Sequence, residues 1–236
     1  MTFAGTLLIG LLVFKSVTFQ VGETRFEAVL VETKITQGLI LDQQGQPEKA
    51  EEVFREATVL APGDKRALEG LASTLRHQGK LTEAEGAYRQ LLGMDQGNVT
   101  ARVNLGRVLA RQGNFQEAQM ILEGVLKEQP TQAGASEYLA RLFLDQGHTK
   151  EAREVLDQAV AKQPSTAEAW QSIGRTYFEI GDLDSAEQAV SAGREIAPSD
   201  PGLLVDLGRI RSMKGDPAGA AQAFAAATAV RENGQP

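Results

Sequence analysis

Apolar and polar positions along this chain follow two nested periods. The short one is helical. Between 133 and 166, Leu139, Leu142 and Phe143 form one apolar stripe, and Ala152, Val155, Leu156 and Ala159 form a second after Gly147. Residues three and four apart share one face of a helix, so each stripe predicts an amphipathic helix. The glycine between them predicts a break, since a left-handed backbone costs glycine least. The long period is 34 residues: Gly45, Gly79, Gly113, Gly147, Gly181 and Gly215. Five residues after each glycine stands an alanine (Ala50, Ala84, Ala118, Ala152, Ala186, Ala220). Four further on comes a larger apolar residue (Phe54, Tyr88, Leu122, Leu156, Val190, Phe224). Pro62, Pro130, Pro164 and Pro198 close four of the units, because proline cannot continue a helix and restrains the residue before it.

Six windows of 34 residues, 31–64, 65–98, 99–132, 133–166, 167–200 and 201–234, run without an insertion. Each predicts two helices around a glycine turn, so the fold class is all-α: stacked helix-turn-helix repeats, which bury their apolar faces only against neighbours. Local signals agree. Asp64 is placed to cap one helix, Ser165 with Glu168 reads as a capping box opening another, and Pro201 fits a first turn. The small alanines predict close approach of the paired helices.

The pattern resembles the tetratricopeptide repeat family over 204 of the 236 residues. The fifth window carries the family signature most fully, with Trp170, Ile173, Gly174 and Tyr177, then Ala186, Val190, Gly193 and Pro198. The third reads Leu105, Gly106 and Leu109, then Ala118, Leu122, Val125 and Pro130. The first departs at Lys34 and Gln37 but keeps Gly38, and the sixth has Arg211 and Glu232 where an aromatic residue and proline are usual. The resemblance implies a right-handed superhelical α-solenoid with a concave groove, lined by the first helix of each pair, that binds a protein or peptide partner. It also implies that the quoted residues are packing residues, Trp170 and Tyr177 included.

Composition narrows the function classes. There is no Cys and there are two His, which removes disulfides, cysteine zinc sites and thiol nucleophiles and leaves little for a histidine metal site. A net charge of −7 argues against nucleic acid, whose binding rests on neutralising phosphates. His77 and His148 fall at inter-helix turns and suggest no triad. Asn98-Val99-Thr100 matches a glycosylation acceptor, which matters only in a secreted eukaryotic chain. The expectation is a non-enzymatic interaction scaffold with no cofactor and no metal.

By the resemblance, the ninth residue of each window points into the groove. These are Leu39, Ser73, Arg107, Arg141, Arg175 and Arg209. Arginines in four successive windows would recognise carboxylates or phosphates through paired hydrogen bonds. Arg66, Arg76 and Arg111 are candidates for the same face, with Asn104 beside them. Two readings stay open. In one, Arg107, Arg111, Arg141, Arg175, Arg209 and Asn104 form a site for an acidic partner segment. In the other, the arginines pair within their own helices: Arg141 with Glu137 or Asp145, Arg175 with Glu179, Arg209 with Asp206. Arg107 has no carboxylate at four-residue spacing. Asn104 and Arg141 also match slots of the clamp with which some family members hold a C-terminal carboxylate. The other slots carry Ile35 and Leu39, or Glu69 and Gly70, so the full clamp is absent.

Residues 1–30 precede the repeats and are apolar from Phe3 to Phe14, with Lys15 interrupting the run to Val21. A spanning helix needs about 20 mostly apolar residues, so 3–21 is a candidate membrane tether. Alternation from Val13 to Val21, with a turn at 22–24 into Phe26–Val31, reads instead as strands capping the solenoid. A cleaved signal is the third reading. With the tether, the chain is membrane-associated through one N-terminal segment, and basic residues only after the apolar run favour cytoplasmic repeats. Without it, the chain is soluble and cytoplasmic. The second function reading follows: a structural subunit of a membrane-bound assembly, held by this segment and by the terminal repeat edges. The last predicted helix, roughly Pro217–Arg231, is alanine-rich, and its outer face either tolerates water or serves self-association or a partner.

Overall fold

The computed structural model describes residues 27–233, and twelve α-helices run through them. Helix α1 covers 27–43. It is followed by α2 (Pro47–Leu60), α3 (Lys65–His77), α4 (Leu81–Met94), α5 (Val99–Arg111) and α6 (Phe115–Glu128). Then come α7 (Ala133–Asp145), α8 (Thr149–Ala161), α9 (Ala167–Ile180), α10 (Leu183–Ile196), α11 (Pro201–Met213) and α12 (Pro217–Asn233). The odd-numbered helices open the repeats and the even-numbered ones close them, so the architecture is an all-α repeat solenoid. No strand occurs among the described residues. The strand reading of Phe26–Val31 is therefore corrected over 27–31, which are helical. The three readings of 3–21 concern residues outside those described. Among the described residues no helix is long and apolar enough to cross a membrane.

Each helix pair turns at its glycine. Gly45, Gly79, Gly113, Gly147, Gly181 and Gly215 all have φ between 70° and 86°, the left-handed region that disfavours any side chain. The four prolines lie between one pair and the next. The Asp64 carboxylate accepts the Arg66 backbone N–H at 2.9 Å and caps α3, and Pro201 sits in the first turn of α11 behind its cap Asp200. The capping box expected at Ser165 moves one residue. The Thr166 hydroxyl caps α9, accepting from the Ala169 N–H at 3.2 Å, because Thr166 carries the extended backbone a cap needs.

Within a pair, a small residue of the opening helix receives a large one of the closing helix. A Cβ placed on Gly38, Gly106, Gly174 or Gly208 would lie 2.5–2.9 Å from Phe54, Leu122, Val190 or Phe224 respectively. The six alanines after the turns are buried, so the helices approach closely there as expected.

The chain divides into two compact units, Met1–Ala101 and Arg102–Pro236. In the first, α2 packs on α3 and α3 on α4, and the Phe54 ring fills the space between Gly38 and Gly70. In the second, α6 packs on α7, α8 on α9 and α10 on α11, and the opening helices α7, α9 and α11 also contact one another in series. Leu156, Ile173, Tyr177, Val190, Leu203, Leu207 and Ile210 form its core.

Candidate functional site

Packing the opening helices in series places their ninth residues one repeat apart on a shared surface. In the second unit Arg107 and Arg111 of α5 meet Tyr138 and Arg141 of α7 and Glu179 of α9 around a cavity of about 330 Å³. Ala110, Leu142 and Leu144 supply its apolar wall, and Asp145 lies at its edge. A second cavity, of about 230 Å³, is lined by Arg175, Phe178, Glu179, Asp206, Arg209 and Ile210. Glu179 borders both. Five of the six expected site residues thus line this surface. Asn104 is half-buried on α5 and lines neither cavity.

Arg107, Arg141 and Arg175 are held mainly from one repeat to the next, not within a helix. Arg107 donates from Nη1 to the Tyr138 hydroxyl at 2.7 Å, and its guanidinium lies 4.8 Å from the centre of the Tyr138 ring. A cation over an aromatic face is stabilised by about 0.5–1 kcal/mol at an exposed site. Arg141 donates to Glu179 at 2.5 Å, while Glu137 in its own helix stands at 3.8 Å. Arg175 donates from Nε to Asp206 at 2.7 Å, in place of the expected Glu179. Gln171 also donates to Asp206 at 2.7 Å, so that buried carboxylate turns toward α9 and does not form the expected pair with Arg209. Intrahelical pairing is therefore corrected for Arg175 and Arg209, and Arg141 keeps its helix partner only as the more distant one.

Electrostatics follow from these contacts. Burial works against the charge on Arg141, but the Glu179 carboxylate outweighs it and holds the guanidinium above its ordinary value. The pair is about two-fifths exposed on both sides. Such pairs contribute only about 0.2–1 kcal/mol in water, so an incoming carboxylate can exchange with Glu179 at little cost. The fork of Arg141 already accommodates one carboxylate, which is the chemistry a ligand would use.

The other two candidate arginines lie in the first unit. Arg66 is exposed and paired with Glu32 and Asp64, and Arg76 is buried, bonded to Ser73 and His77, which corrects its expected place on an open face. His77 ends α3 and His148 stands just before α8, and both are exposed. The Asn98 side chain accepts the Ala101 N–H at 2.9 Å and caps α5. Among the described residues no cluster of His, Cys, Asp and Glu could hold a metal ion. Tyr138 and the cross-repeat role of Glu179 were not anticipated. A signal for the first existed: Arg107–Tyr138 and Arg175–Asp206 share a separation of 31 residues, from a ninth position to the next repeat's sixth.

The helix-turn-helix unit and its 34-residue period are matched by the tetratricopeptide repeat family model over residues 35–99, 75–142, 109–175 and 143–204. The chain belongs to the tetratricopeptide repeat family. Solved tetratricopeptide structures share the fold. A thermophilic repeat protein of Thermus thermophilus aligns at 24% identity and TM-score 0.61, covering 78% of this chain and 98% of that one. The type IV pilus biogenesis factor PilW aligns at 18% and 0.60, covering 83% and 90%. Pseudomonas aeruginosa pilF aligns at 20% and 0.58, covering 84% and 90%. This chain spans only 40% of the matched chain in the APC/C hetero-tetramer Cut9-Hcn1. No curated protein matches. At these identities the likeness is one of fold.

Proposed function

We propose that this tetratricopeptide protein is a non-enzymatic interaction scaffold whose second unit binds a carboxylate-rich peptide segment of a protein partner. The observation that carries the reading is that Arg107, Arg111, Arg141, Arg175 and Arg209 line two neighbouring cavities that share Glu179. An overall charge of −7 makes this local cationic surface selective, because the rest of the chain repels an acidic ligand. The apolar wall at Leu142 and Leu144 would seat a side chain flanked by acidic residues. In this reading Tyr138 positions Arg107, and Glu179 is the internal anion that the ligand displaces.

Affinity capture with three baits tests it: the full chain, residues 31–236, and the full chain with Arg107→Ala, Arg111→Ala and Arg141→Ala. Helicity of the arginine variant is checked by circular dichroism. Loss of a partner with the arginine variant alone supports the groove. If that variant keeps every partner while the truncation loses them, the second reading replaces it: a subunit held in a membrane assembly through its N-terminal segment.

A further inference from the structure

The contact between successive repeats recurs within each unit, and its two halves stand open at opposite ends of the chain. At four junctions a closing helix packs on the next opening helix: α2 on α3, α6 on α7, α8 on α9 and α10 on α11. In the opening helix Thr74, Leu142, Thr176 and Ile210 share one register position, each 1–2% exposed. In α1 that position is Ile40, 48% exposed, and no described helix precedes it. With Val29, Glu32, Thr33, Thr36, Gln37 and Leu41 it lines a groove of about 510 Å³, and Glu32 is paired with Arg66. In the closing helix Phe54, Leu122, Leu156 and Val190 share one register position, each 0–1% exposed, and the Phe54 ring also lies against Gly70 of the next opening helix. In α12 that position is Phe224, 39% exposed beside its own Gly208. Thr228, one helical turn further, is exposed where its counterparts Thr58, Leu126, Val160 and Arg194 are half-buried.

We infer that α12 of one copy packs on α1 of a second copy, continuing the repeat between chains head to tail. The occupant is a second copy because each face is half of an interface this chain already forms with itself. The charges agree. At three internal junctions a residue early in the closing helix meets the next repeat's turn as an ion pair: Glu51 with Lys80 at 2.6 Å, Arg153 with Asp182 at 2.7 Å, and Glu187 with Lys214 at 2.8 Å. The corresponding residue of α12 is Ala221, and its counterparts in the first repeat are Gln44 and Gln46. A junction between copies therefore leaves no charge at these positions unpaired. The contact is heterologous, so copies add head to tail, as a ring or an open chain, without an isologous two-fold interface. It is independent of the arginine surface.

Sedimentation velocity on the full chain tests the inference. The weight-average mass should rise with concentration from 25.3 kDa past twice that value. Ile40→Glu and Thr228→Glu change exposed helical positions and should each give monomers. An equimolar mixture of the two variants should recover one junction and stop at a heterodimer, since each supplies the face the other lacks. Ala221→Glu with Gln46→Lys rebuilds the internal ion pair and should tighten association by roughly two- to fivefold, the range of an exposed pair. A wild-type chain that stays monomeric overturns the inference and points to the chain's own N-terminal residues as cover for α1. Association that survives Thr228→Glu but not Ile40→Glu overturns it in favour of symmetric α1 pairing.

Discussion

Gly70 and Gly86 lie inside neighbouring helices of the same unit, and replacing each with alanine should shift stability in opposite directions. Alanine favours the helical backbone over glycine by about 1 kcal/mol. At Gly86, in α4, a Cβ meets no atom within 4 Å, so the full gain is expected. That corresponds to a melting midpoint higher by about 2–4 °C in a chain of this size. At Gly70, in α3, the Cβ would stand 2.3 Å from Phe54 Cε1 and 2.5 Å from Cζ. The buried ring has little room to tilt away, because on its other side it lies so close to Gly38 that a Cβ there would stand 2.7 Å from it. Overpacking of this kind costs about 1–3 kcal/mol, which offsets or exceeds the helical gain. Gly70→Ala should therefore be neutral or destabilising by up to about 2 kcal/mol, leaving the two variants about 1–3 kcal/mol apart. Thermal melts followed by circular dichroism measure the difference. Repeat arrays can depart from two-state unfolding, but both substitutions sit in one unit, so the order of midpoints stays meaningful. Equal stabilisation by both variants would refute the wedge of Phe54 between α1 and α3.

Stability should also fall in acid. Burial opposes the charge of Glu51, but hydrogen bonds from Lys80, Arg55 and Gln78 outweigh it and hold its carboxyl below the ordinary 4.5. Lys214 and Arg211 do the same for Glu187. A lowered folded pKa contributes stability that is complete above the unfolded value and lost as pH falls through the folded one, so melting midpoints should hold down to about pH 5 and drop below about 4.5. Glu51→Gln with Glu187→Gln should flatten that drop, measured by the same melts across pH. Asp206→Ala should destabilise by about 1–3 kcal/mol in urea unfolding, because a buried carboxylate with two donors is removed, and Asp206→Asn, which keeps an acceptor, should cost less. Gly181→Ala should lower the melting midpoint although its surroundings are empty, because φ is +86° there.

Much of the fold was legible because each repeat states the same instruction in several forms. The 34-residue glycine period marks the turns, and all six glycines have the backbone that period demands. The two helices follow from stripes such as Leu139, Leu142 and Phe143. Caps were legible to within a residue: Ser165 and Thr166 both carry a hydroxyl, and only the backbone at Thr166 decides between them. The site was half legible. Reading the arginines within single helices made Glu179 and Asp206 look like partners of Arg175 and Arg209. Packing of α7, α9 and α11 in series brings nearer partners from the next repeat, and a 31-residue separation is invisible to any local pattern. Arg76 looked like a groove residue because its spacing says nothing about what packs over it. The open faces of α1 and α12 emerge only when the burial of Ile40 and Phe224 is set beside that of their counterparts.

The function turns on whether the arginine surface takes a carboxylate ligand. Isothermal titration of the full chain with a fluorescein-free acidic peptide of alternating Glu and Leu, at low and physiological salt, measures this directly. Binding should weaken with salt, and Arg107→Ala/Arg111→Ala/Arg141→Ala should weaken it at least tenfold, about 1.4 kcal/mol, with helicity unchanged. Glu179→Gln, which frees Arg141 from its internal anion, should bind the peptide more tightly than wild type. Equal affinity of the wild-type chain for the acidic peptide and its Gln-for-Glu counterpart would contradict the account.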